Sequence, residues 1–295
     1  MNVRTWLNIA LALIVVALAG VAYLRPGKEP AEPKPALVKA GPSKVERLAL
    51  QPAKGEIVQL AREKGRWRLT APKPLPADGK AVKSVTDLLR AKSQGIVENA
   101  DPKAAEYGLK EPEWTLQAGG HRIALGGKHP IERQRFVRVD DAVHRVKASA
   151  LRGIKTDWTG YVSPRLVPPG ADLTRVELPR VTLEKTKQGK WRAAGGSGLK
   201  ASKAEATARM WRNRRAISIE TFEGDTASAP SVTLHLATRQ EPLRYAVKRG
   251  DKRIRLIRTD LGISYGLLAK QGQDLLWPQK SDQAKGQEGG KPGSG

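Results

Sequence analysis

The sequence predicts an α+β protein in which an N-terminal membrane-anchoring helix precedes two tandem copies of one module, each built from a hairpin, a helix and antiparallel strands. Three observations support this architecture. An uncharged apolar segment lies near the N-terminus, helix-type periodicity alternates with strand-type periodicity in the rest of the chain, and the order of these signals repeats. Trp67 and Trp191, which mark the repeat, lie 124 positions apart (191 − 67), a normal length for one domain.

The first predicted element is a membrane helix within residues 1–24. Thr5–Leu24 contains twenty residues without a charge, enough to cross a bilayer as a helix. Trp6 and Tyr23 lie near its ends, where interfacial aromatic residues are favoured. A cleaved signal peptide is the alternative, because Ala-Leu-Ala at residues 17–19 fits a cleavage site. The uncleaved anchor is favoured because the apolar run continues beyond that site, and the absence of cysteine excludes a lipoprotein.

The charges around this segment do not by themselves place the following chain outside the cytoplasm. Arg4 precedes the segment, whereas four basic residues follow it: Arg25, Lys28, Lys34 and Lys39. Large domains are nevertheless translocated largely regardless of their charge, and a short tail before a first apolar segment resembles a signal anchor. The sequence therefore predicts a single-pass protein of the bacterial inner membrane with its bulk in the periplasm.

Composition divides the remaining chain into a linker, two modules and a tail. Residues 25–44 are rich in proline and charge, which predicts a semi-extended spacer. Residues 279–295 have the composition of a disordered tail. Between them, the repeat predicts a first module over residues 45–170 and a second module over residues 171–278.

Each module begins with a turn and a tryptophan, and a helix follows. In the first module, Asp78 is the predicted N-cap of a helix over residues 80–92. In the second module, Ser202 and Glu205 form the S-x-x-E pattern of a capping box. Apolar side chains recur at helical spacing in both modules: Val82, Val85 and Leu89 in the first, and Ala204, Ala208 and Trp211 in the second.

Strand signals follow each helix in the same order in both modules. A short β-branched patch comes first, then two alternating runs around a polar turn, then a hairpin that leads into a short helix. The first hairpin turns near Asp140 and Asp141, and the second turns within residues 260–262. This shared order is the main basis for predicting a duplicated module.

Trp67 and Trp191 allow a binding interpretation and a structural one. As binding residues they would stack on a ligand, helped by the basic residues beside them. As structural residues each would fill the gap between the hairpin and the helix of its module. The structural interpretation is favoured because a packing arrangement is duplicated together with its fold.

The first module resembles a known family. The stretches "KGRWRLTAPKPLPAD", "EYGLKEPEWTLQ", "RFVRVDDAVHRV" and "SALRGIKTDWTGYVSPRLV" are similar to the bacterial domain of unknown function 4340. The resemblance implies a membrane-anchored extracytoplasmic protein, often encoded near ABC-transporter components of the gliding-motility type, and it supplies no catalytic residues. The second module departs from the pattern, because residues 107–109 and Pro112 have no clear counterpart near residues 222–224.

No group of residues predicts catalysis, a cofactor or a metal site. The chain has no cysteine and no G-x-x-x-x-G-K-[ST] phosphate loop. No two histidines have the i, i+4 spacing with which one helix face binds a metal. Asp140 and Asp141 could act as paired carboxylates, but a hairpin turn explains them better, since aspartate tolerates turn geometry. The sequence therefore predicts a protein that is not an enzyme.

Positive charge is the remaining functional signal. The formal net charge is +24 and the calculated pI is about 10.4. Two dense clusters are candidate sites for an anion or a partner: Arg209, Arg212, Arg214 and Arg215, and then Lys248, Arg249, Lys252, Arg253, Arg255 and Arg258. Arg253 and Arg255 would share a strand face that ends at the apolar Ile257. The alternative is that the charge reflects an ordinary solvated surface.

Two functional classes follow from these observations. The first, which rests on the family resemblance, is a non-catalytic accessory or scaffold protein that is anchored in the membrane through residues 5–24 and binds proteins of an envelope complex. The second, which rests on the charge, is a periplasmic binding module for an anionic lipid headgroup or cell-wall polymer. Nucleic acid is disfavoured as a partner because the chain contains no recognised nucleic-acid-binding motif.

Overall fold

The computed structural model describes residues 3–24, 35–38, 45–98, 100–101, 105–130, 133–195 and 198–278. Within these residues the chain forms four α-helices and two antiparallel sheets, so the predicted α+β class is confirmed. The helices are α1 (Val3–Leu24), α2 (Gly79–Leu89), α3 (Ala201–Asn213) and α4 (Ala269–Leu276). Most of the predicted linker (25–34 and 39–44) and the predicted tail (279–295) lie outside the described residues.

The first sheet contains nine strands. In chain order these are β1 (Arg47–Pro52), β2 (Val58–Glu63), β3 (Arg66–Ala71), β4 (Leu75–Pro76), β5 (Ser93–Ile96), β6 (Trp114–Ala118), β7 (His121–Lys128), β8 (Gln134–Val139) and β9 (Ala142–Lys147). Across the sheet the order is β4-β3-β2-β1-β6-β7-β8-β9-β5. The predicted turn at Asp140 is confirmed, because this residue joins β8 to β9 with a positive φ of 52°.

The second sheet contains eight strands. They are β10 (Leu173–Glu177), β11 (Thr182–Lys185), β12 (Trp191–Ala193), β13 (Ser218–Thr221), β14 (Ser231–Leu236), β15 (Leu243–Arg249), β16 (Arg253–Arg258) and β17 (Ile263–Leu268). Across the sheet the order is β12-β11-β10-β14-β15-β16-β17-β13. Each of these eight strands has a counterpart in the first sheet, at the same place in the chain order and in the order across the sheet. The two-residue strand β4 is the one strand of the first sheet without a counterpart among the described residues.

The predicted helix faces are confirmed, and one of the two predicted caps is not. Val82, Val85 and Leu89 in α2, and Ala204, Ala208 and Trp211 in α3, are all buried. Asp78 caps α2 by accepting a hydrogen bond from the backbone nitrogen of Lys80. The capping box in α3 is wrong, because Ser202 lies inside the helix and Glu205 instead accepts a bond from the backbone nitrogen of Trp191, 3.3 Å away.

The described part of the predicted linker belongs to the folded body. Leu37 and Val38 are 6% and 4% exposed. Their backbone nitrogens donate to the carbonyl oxygens of Ala91 (2.8 Å) and Leu89 (3.2 Å), at the C-terminal end of α2. These bonds and the burial of two large apolar side chains fix residues 35–38 on the first module, so the spacer interpretation is wrong for this stretch.

A connector, defined as residues 161–168, links the first sheet to the chain that follows α3 by backbone hydrogen bonds. On the side of the first module, Ser163 donates to the carbonyl oxygen of Pro76 at 2.8 Å. On the other side, the backbone nitrogen of Ala216 donates to the carbonyl oxygen of Pro164 at 2.7 Å. Buried apolar side chains of both modules form one continuous cluster around it. The two sheets therefore share a core.

Helix α1 has the properties of a membrane span. It is 22 residues long, its most apolar window has a mean hydropathy of 1.9, and that window is not buried against the rest of the protein. Trp6 near its start is 67% exposed. By length and composition the helix is able to cross a membrane, and a signal sequence would fit the same description.

Candidate functional site

The first basic cluster lies at the C-terminal end of α3. Arg209 and Arg212 belong to the last turns of the helix, and Arg214 and Arg215 follow it. Arg209, Arg214 and Arg215 line an open hollow of about 670 Å³ together with Met210 and Ile217. Cations at this end of a helix are stabilised by the helix dipole, so part of the cluster has a structural explanation.

Two arginines of this cluster are tied to the junction between the modules. Arg215 lies 3.6 Å from the carboxylate of Asp78, the residue that caps α2 in the other module. The Nε atom of Arg214 is buried and has no hydrogen-bond partner among the described residues. The cluster therefore combines solvent-exposed charge on Arg209 and Arg212 with charge held at the module junction.

The second basic cluster does not form one surface. Arg253 and Arg255 share a strand face as predicted, and both lie within 4.0 Å of the carboxylate of Glu220. Lys248 is the cross-strand neighbour of Arg255 and lies 5.1 Å from the ring centroid of Phe222. These three cations form the basic face of the β15–β16 hairpin, on which Lys252 is also exposed.

Two members of this cluster point elsewhere. The Arg249 guanidinium stacks 3.5 Å from the ring centroid of Trp277. Arg258 is only 8% exposed, and it makes two hydrogen bonds with Asp260, at 2.8 and 2.6 Å. Including Arg258 in a surface cluster is therefore wrong. Strand alternation places it on the same face of β16 as the buried Ile254 and Leu256, which faces the core.

The two marker tryptophans have different environments. Trp191 is 2% exposed and lies in β12, which packs against α3. Trp67 is only partly buried against the core and lines an open hollow of about 820 Å³ with Pro76, Pro168 and Pro169. The structural interpretation therefore describes Trp191 well, whereas Trp67 also presents part of its ring to a groove flanked by arginines.

A cleft at the module junction gathers arginines that the sequence does not group. Its volume is about 400 Å³, and it is lined by Arg68 from β3, Arg165 from the connector, Arg239 from the turn before β15, and Arg258. Tyr245 and Tyr265 form part of the wall. The Tyr245 hydroxyl donates to the carbonyl oxygen of Leu166 at 2.7 Å, and burial raises its pKa to about 12.

Sequence reasoning missed this cleft because its members come from separate parts of the chain. Arg165 lies inside a stretch that has no charge cluster, and Arg239 is isolated in a turn. The only signal available was the stretch "DWTGYVSPRLV" at residues 157–167, whose apolar residues indicate a buried connection between two modules. The cleft exists because the connector brings β3 of one sheet close to β15 and β16 of the other.

In the part of the chain that the structure describes, the histidines are separated, and three of them pair with single neighbours. The Nδ1 atom of His121 lies 2.8 Å from Asp140 at a hairpin end. Burial lowers the pKa of His144, which contacts the hydroxyl of Ser93 at 3.1 Å. Among the described residues, no group of three or more histidine and acidic side chains could hold a metal ion.

One protein family matches this chain. The family described as "Domain of unknown function (DUF4340)" matches residues 67–232, which is more than half of the chain's 295 residues. The match begins at Trp67 in β3 and ends in β14, so it includes the connector. No curated protein and no solved structure matches the chain.

Proposed function

Since the chain belongs to the DUF4340 family, we propose that it is a non-catalytic, membrane-anchored accessory or scaffold protein of a bacterial envelope complex, with its folded body in the periplasm. The observation that carries the proposal is a span-length apolar helix joined to a folded two-sheet body by a short tether. ABC-transporter components of the gliding-motility type are the first partners to test, on the strength of the family resemblance alone.

The length of the tether supports a role close to the membrane. Leu24 ends α1, and Pro35 is already bonded to the first module through its carbonyl oxygen, which accepts from the backbone nitrogen of Ser93 at 2.9 Å. The eleven peptide steps between them (35 − 24) span at most about 40 Å. The body is therefore held within that distance of the bilayer, where membrane proteins and lipid headgroups are within its reach.

We also propose that the two halves of the body are tandem copies of one module. The matching order of strands in the two sheets supports duplication. The connector adds a second correspondence. The backbone nitrogen of Leu166 donates to the carbonyl oxygen of Arg214, just after α3, at 3.3 Å. In the same way, the backbone nitrogen of Leu37 donates to the carbonyl oxygen of Ala91, just after α2, at 2.8 Å. Each proposed copy therefore begins with a short Pro-x-Leu-Val segment, Pro35–Val38 and Pro164–Val167, bonded behind its own helix. Both starts lie before the boundaries at residues 45 and 171 that the sequence predicts.

The scaffold proposal is tested by crosslinking the full chain in cells, extracting it in mild detergent and identifying partners by mass spectrometry. Parallel washes in low and high salt separate specific contacts from electrostatic ones. We expect defined membrane proteins to remain bound in high salt. A variant with Arg253→Gln and Arg255→Gln serves as the charge control and should retain them. Loss of all partners in high salt would contradict the proposal.

The proposed orientation has its own test. A reporter that is active only outside the cytoplasm, fused after Gly295, should be active, whereas a cytoplasm-specific reporter at the same position should be inactive. The opposite pattern would place the body in the cytoplasm and remove the periplasmic part of the proposal.

A second candidate function is binding of an anionic envelope ligand. The basic face of the β15–β16 hairpin and the arginine-lined junction cleft favour it, because both lie on a body held near anionic headgroups. Binding to anionic vesicles that weakens steeply as salt increases would support this function. Binding that is equally strong to neutral vesicles would exclude it.

A further inference from the structure

The junction cleft has the dimensions and position of a ligand site. Its volume of about 400 Å³ lies within the range of small-molecule pockets, roughly 300–1,000 Å³. Its wall is contributed by both sheets and by the connector, and such interfaces between structural units are preferred places for binding sites. The four arginines in its lining indicate that the ligand is an anion.

The arginines of the cleft outnumber the carboxylates that pair with them among the described residues, although Asp260 also attracts Arg239 at longer range. Arg68 pairs with Glu63 at 3.2 Å and Arg258 pairs with Asp260 at 2.6 Å. Arg165 and Arg239 have no ion pair with another described residue. Four guanidinium groups less two paired carboxylates leave two positive charges. A ligand that balances them carries two negative charges.

Arg258 gives the cleft a fixed hydrogen-bond donor. Its Nε and Nη2 atoms bind Asp260, and its guanidinium carbon lies 5.7 Å from the ring centroid of Tyr245. The Tyr245 ring is itself fixed by the bond from its hydroxyl to Leu166. The Tyr245 side chain also makes a hydrogen bond with this guanidinium. Asp260 and Tyr245 together use three of the five N–H donors of Arg258, so two donors on a group with restricted rotation remain for a ligand.

Tyr265 adds a second type of donor to the same wall. The residue is 4% exposed, and its hydroxyl has no hydrogen-bond partner among the described residues. Burial raises the pKa of this hydroxyl, so it keeps its proton at neutral pH and donates. Arginine forks and a hydroxyl donor match the tetrahedral oxygens of a phosphate group.

We propose that the junction cleft binds a phosphate monoester group, with Arg165 and Arg239 neutralising its two charges and Arg258 and Tyr265 donating hydrogen bonds to its oxygens. This site deepens the second proposed function and rests on it, because it names the chemical class of the anionic ligand. The group is supplied either by a soluble phosphate compound or by a lipid with a phosphomonoester head. A ligand in the cleft would also bridge the two sheets, because Arg68 of β3 in the first sheet lines the same cleft as these four side chains.

The first test measures binding of inorganic phosphate to the purified full chain in neutral detergent by titration calorimetry. We expect saturable binding at pH 7.5, where phosphate is mostly doubly charged. Arg165→Gln and Arg239→Gln should each weaken binding about tenfold or more, the effect of one lost charge-assisted contact. Arg244→Gln is the matched control, because Arg244 is exposed on β15 outside the cleft and the substitution removes the same charge.

The results separate the cleft from general electrostatic attraction. A change of less than twofold for Arg244→Gln beside a large loss for the two cleft variants supports the site. Equal losses for all three variants, or no saturable phosphate binding, overturn it. If those variants still bind anionic vesicles as the unaltered chain does, the second proposed function stands although the cleft proposal has failed. Thermal unfolding of each variant verifies that the exposed substitutions leave the fold intact.

A competition experiment identifies the source of the phosphate group. Short-chain phosphatidate has a phosphomonoester head, and short-chain phosphatidylglycerol carries only a singly charged diester. Displacement of bound phosphate by phosphatidate alone indicates the lipid, whereas displacement by neither indicates a soluble compound; both results support the cleft. Displacement by succinate at the same concentration as phosphate would overturn the phosphate assignment.

Discussion

Replacing Trp67 and Trp191 by alanine tests whether the two tryptophans stabilise the fold equally, as the repeat in the sequence suggests. Trp191 is 2% exposed, so the substitution removes nearly all of a side chain that buries up to about 250 Å². At about 25 cal/mol per Å² the loss has an upper limit near 6 kcal/mol. Incomplete collapse of the cavity gives an expected loss of about 3–5 kcal/mol.

Trp67→Ala should cost less. Trp67 is partly exposed and borders a hollow of about 820 Å³, so solvent already contacts part of its ring and fills the space left by it. We expect the free energy of unfolding to fall by about 2 kcal/mol, because only roughly half of the apolar area of this side chain is buried and can be lost on substitution. The proline-lined side of the hollow should keep its shape, since Arg66 donates to the carbonyl oxygen of Pro169 at 2.8 Å.

Urea unfolding of the detergent-solubilised full chain, followed by far-UV circular dichroism, measures both losses. Trp6→Ala is the matched control, because Trp6 is 67% exposed on α1 and lies outside the body that unfolds. Its free energy of unfolding should equal that of the unaltered chain. Equal losses for Trp67→Ala and Trp191→Ala would refute the conclusion that the two sites differ in packing.

Two further predictions concern the first module. Gly108→Ala should destabilise it by more than about 2 kcal/mol, because φ is +64° and a Cβ would lie 2.7 Å from a backbone nitrogen of β7. Gly120→Ala, at φ +86° with open space around it, should lose only the strain energy; an equal loss in urea unfolding would contradict the steric argument. Hydrogen bonds from Arg122 and His121 lower the pKa of Asp140, so its stabilising effect is present above about pH 4, the unfolded value, and is lost as pH falls through the lower folded value. Asp140→Asn should therefore cost less than about 1 kcal/mol at pH 7, and the cost should shrink as the pH falls below about 4. A pH-independent difference would exclude this explanation.

Local patterns predicted most of the secondary structure because the periodicity of a helix or a hairpin is contained in a short stretch. The buried faces of α2 and α3 follow from apolar spacing alone. The capping box failed because α3 begins at Ala201, before Ser202, and Glu205 accepts a hydrogen bond from the backbone of Trp191 in the neighbouring strand. That choice depends on how a strand and a helix meet, which no local pattern contains.

The same limit applies to the candidate sites. The cluster over residues 248–258 is dense in the sequence, but strand alternation sends Arg255 to the surface and Arg258 to the core. The junction cleft behaves in the opposite way, since Arg165 and Arg239 are unremarkable where they occur and become neighbours only through tertiary contacts. Composition therefore shows that positive charge is abundant, but it does not predict which cations share a surface in the fold.

The connector gives the proposed duplication a functional consequence. In the first proposed copy, the segment bonded behind the helix is Pro35–Val38, which follows the membrane tether. In the second proposed copy, the corresponding segment is Pro164–Val167, and its residues Arg165 and Leu166 also line the cleft. Only the second such segment lies between two sheets, so only it can contribute a charge to a site shared by both modules. The second proposed copy alone would have the helix, the sheet and the segment bonded behind the helix, but it would lack the part of the wall supplied by Arg68 and residues 74–76 of the first. If the two halves are copies, as we propose, the cleft is complete only where they meet, and a ligand in it would stabilise the packing of the two sheets against each other.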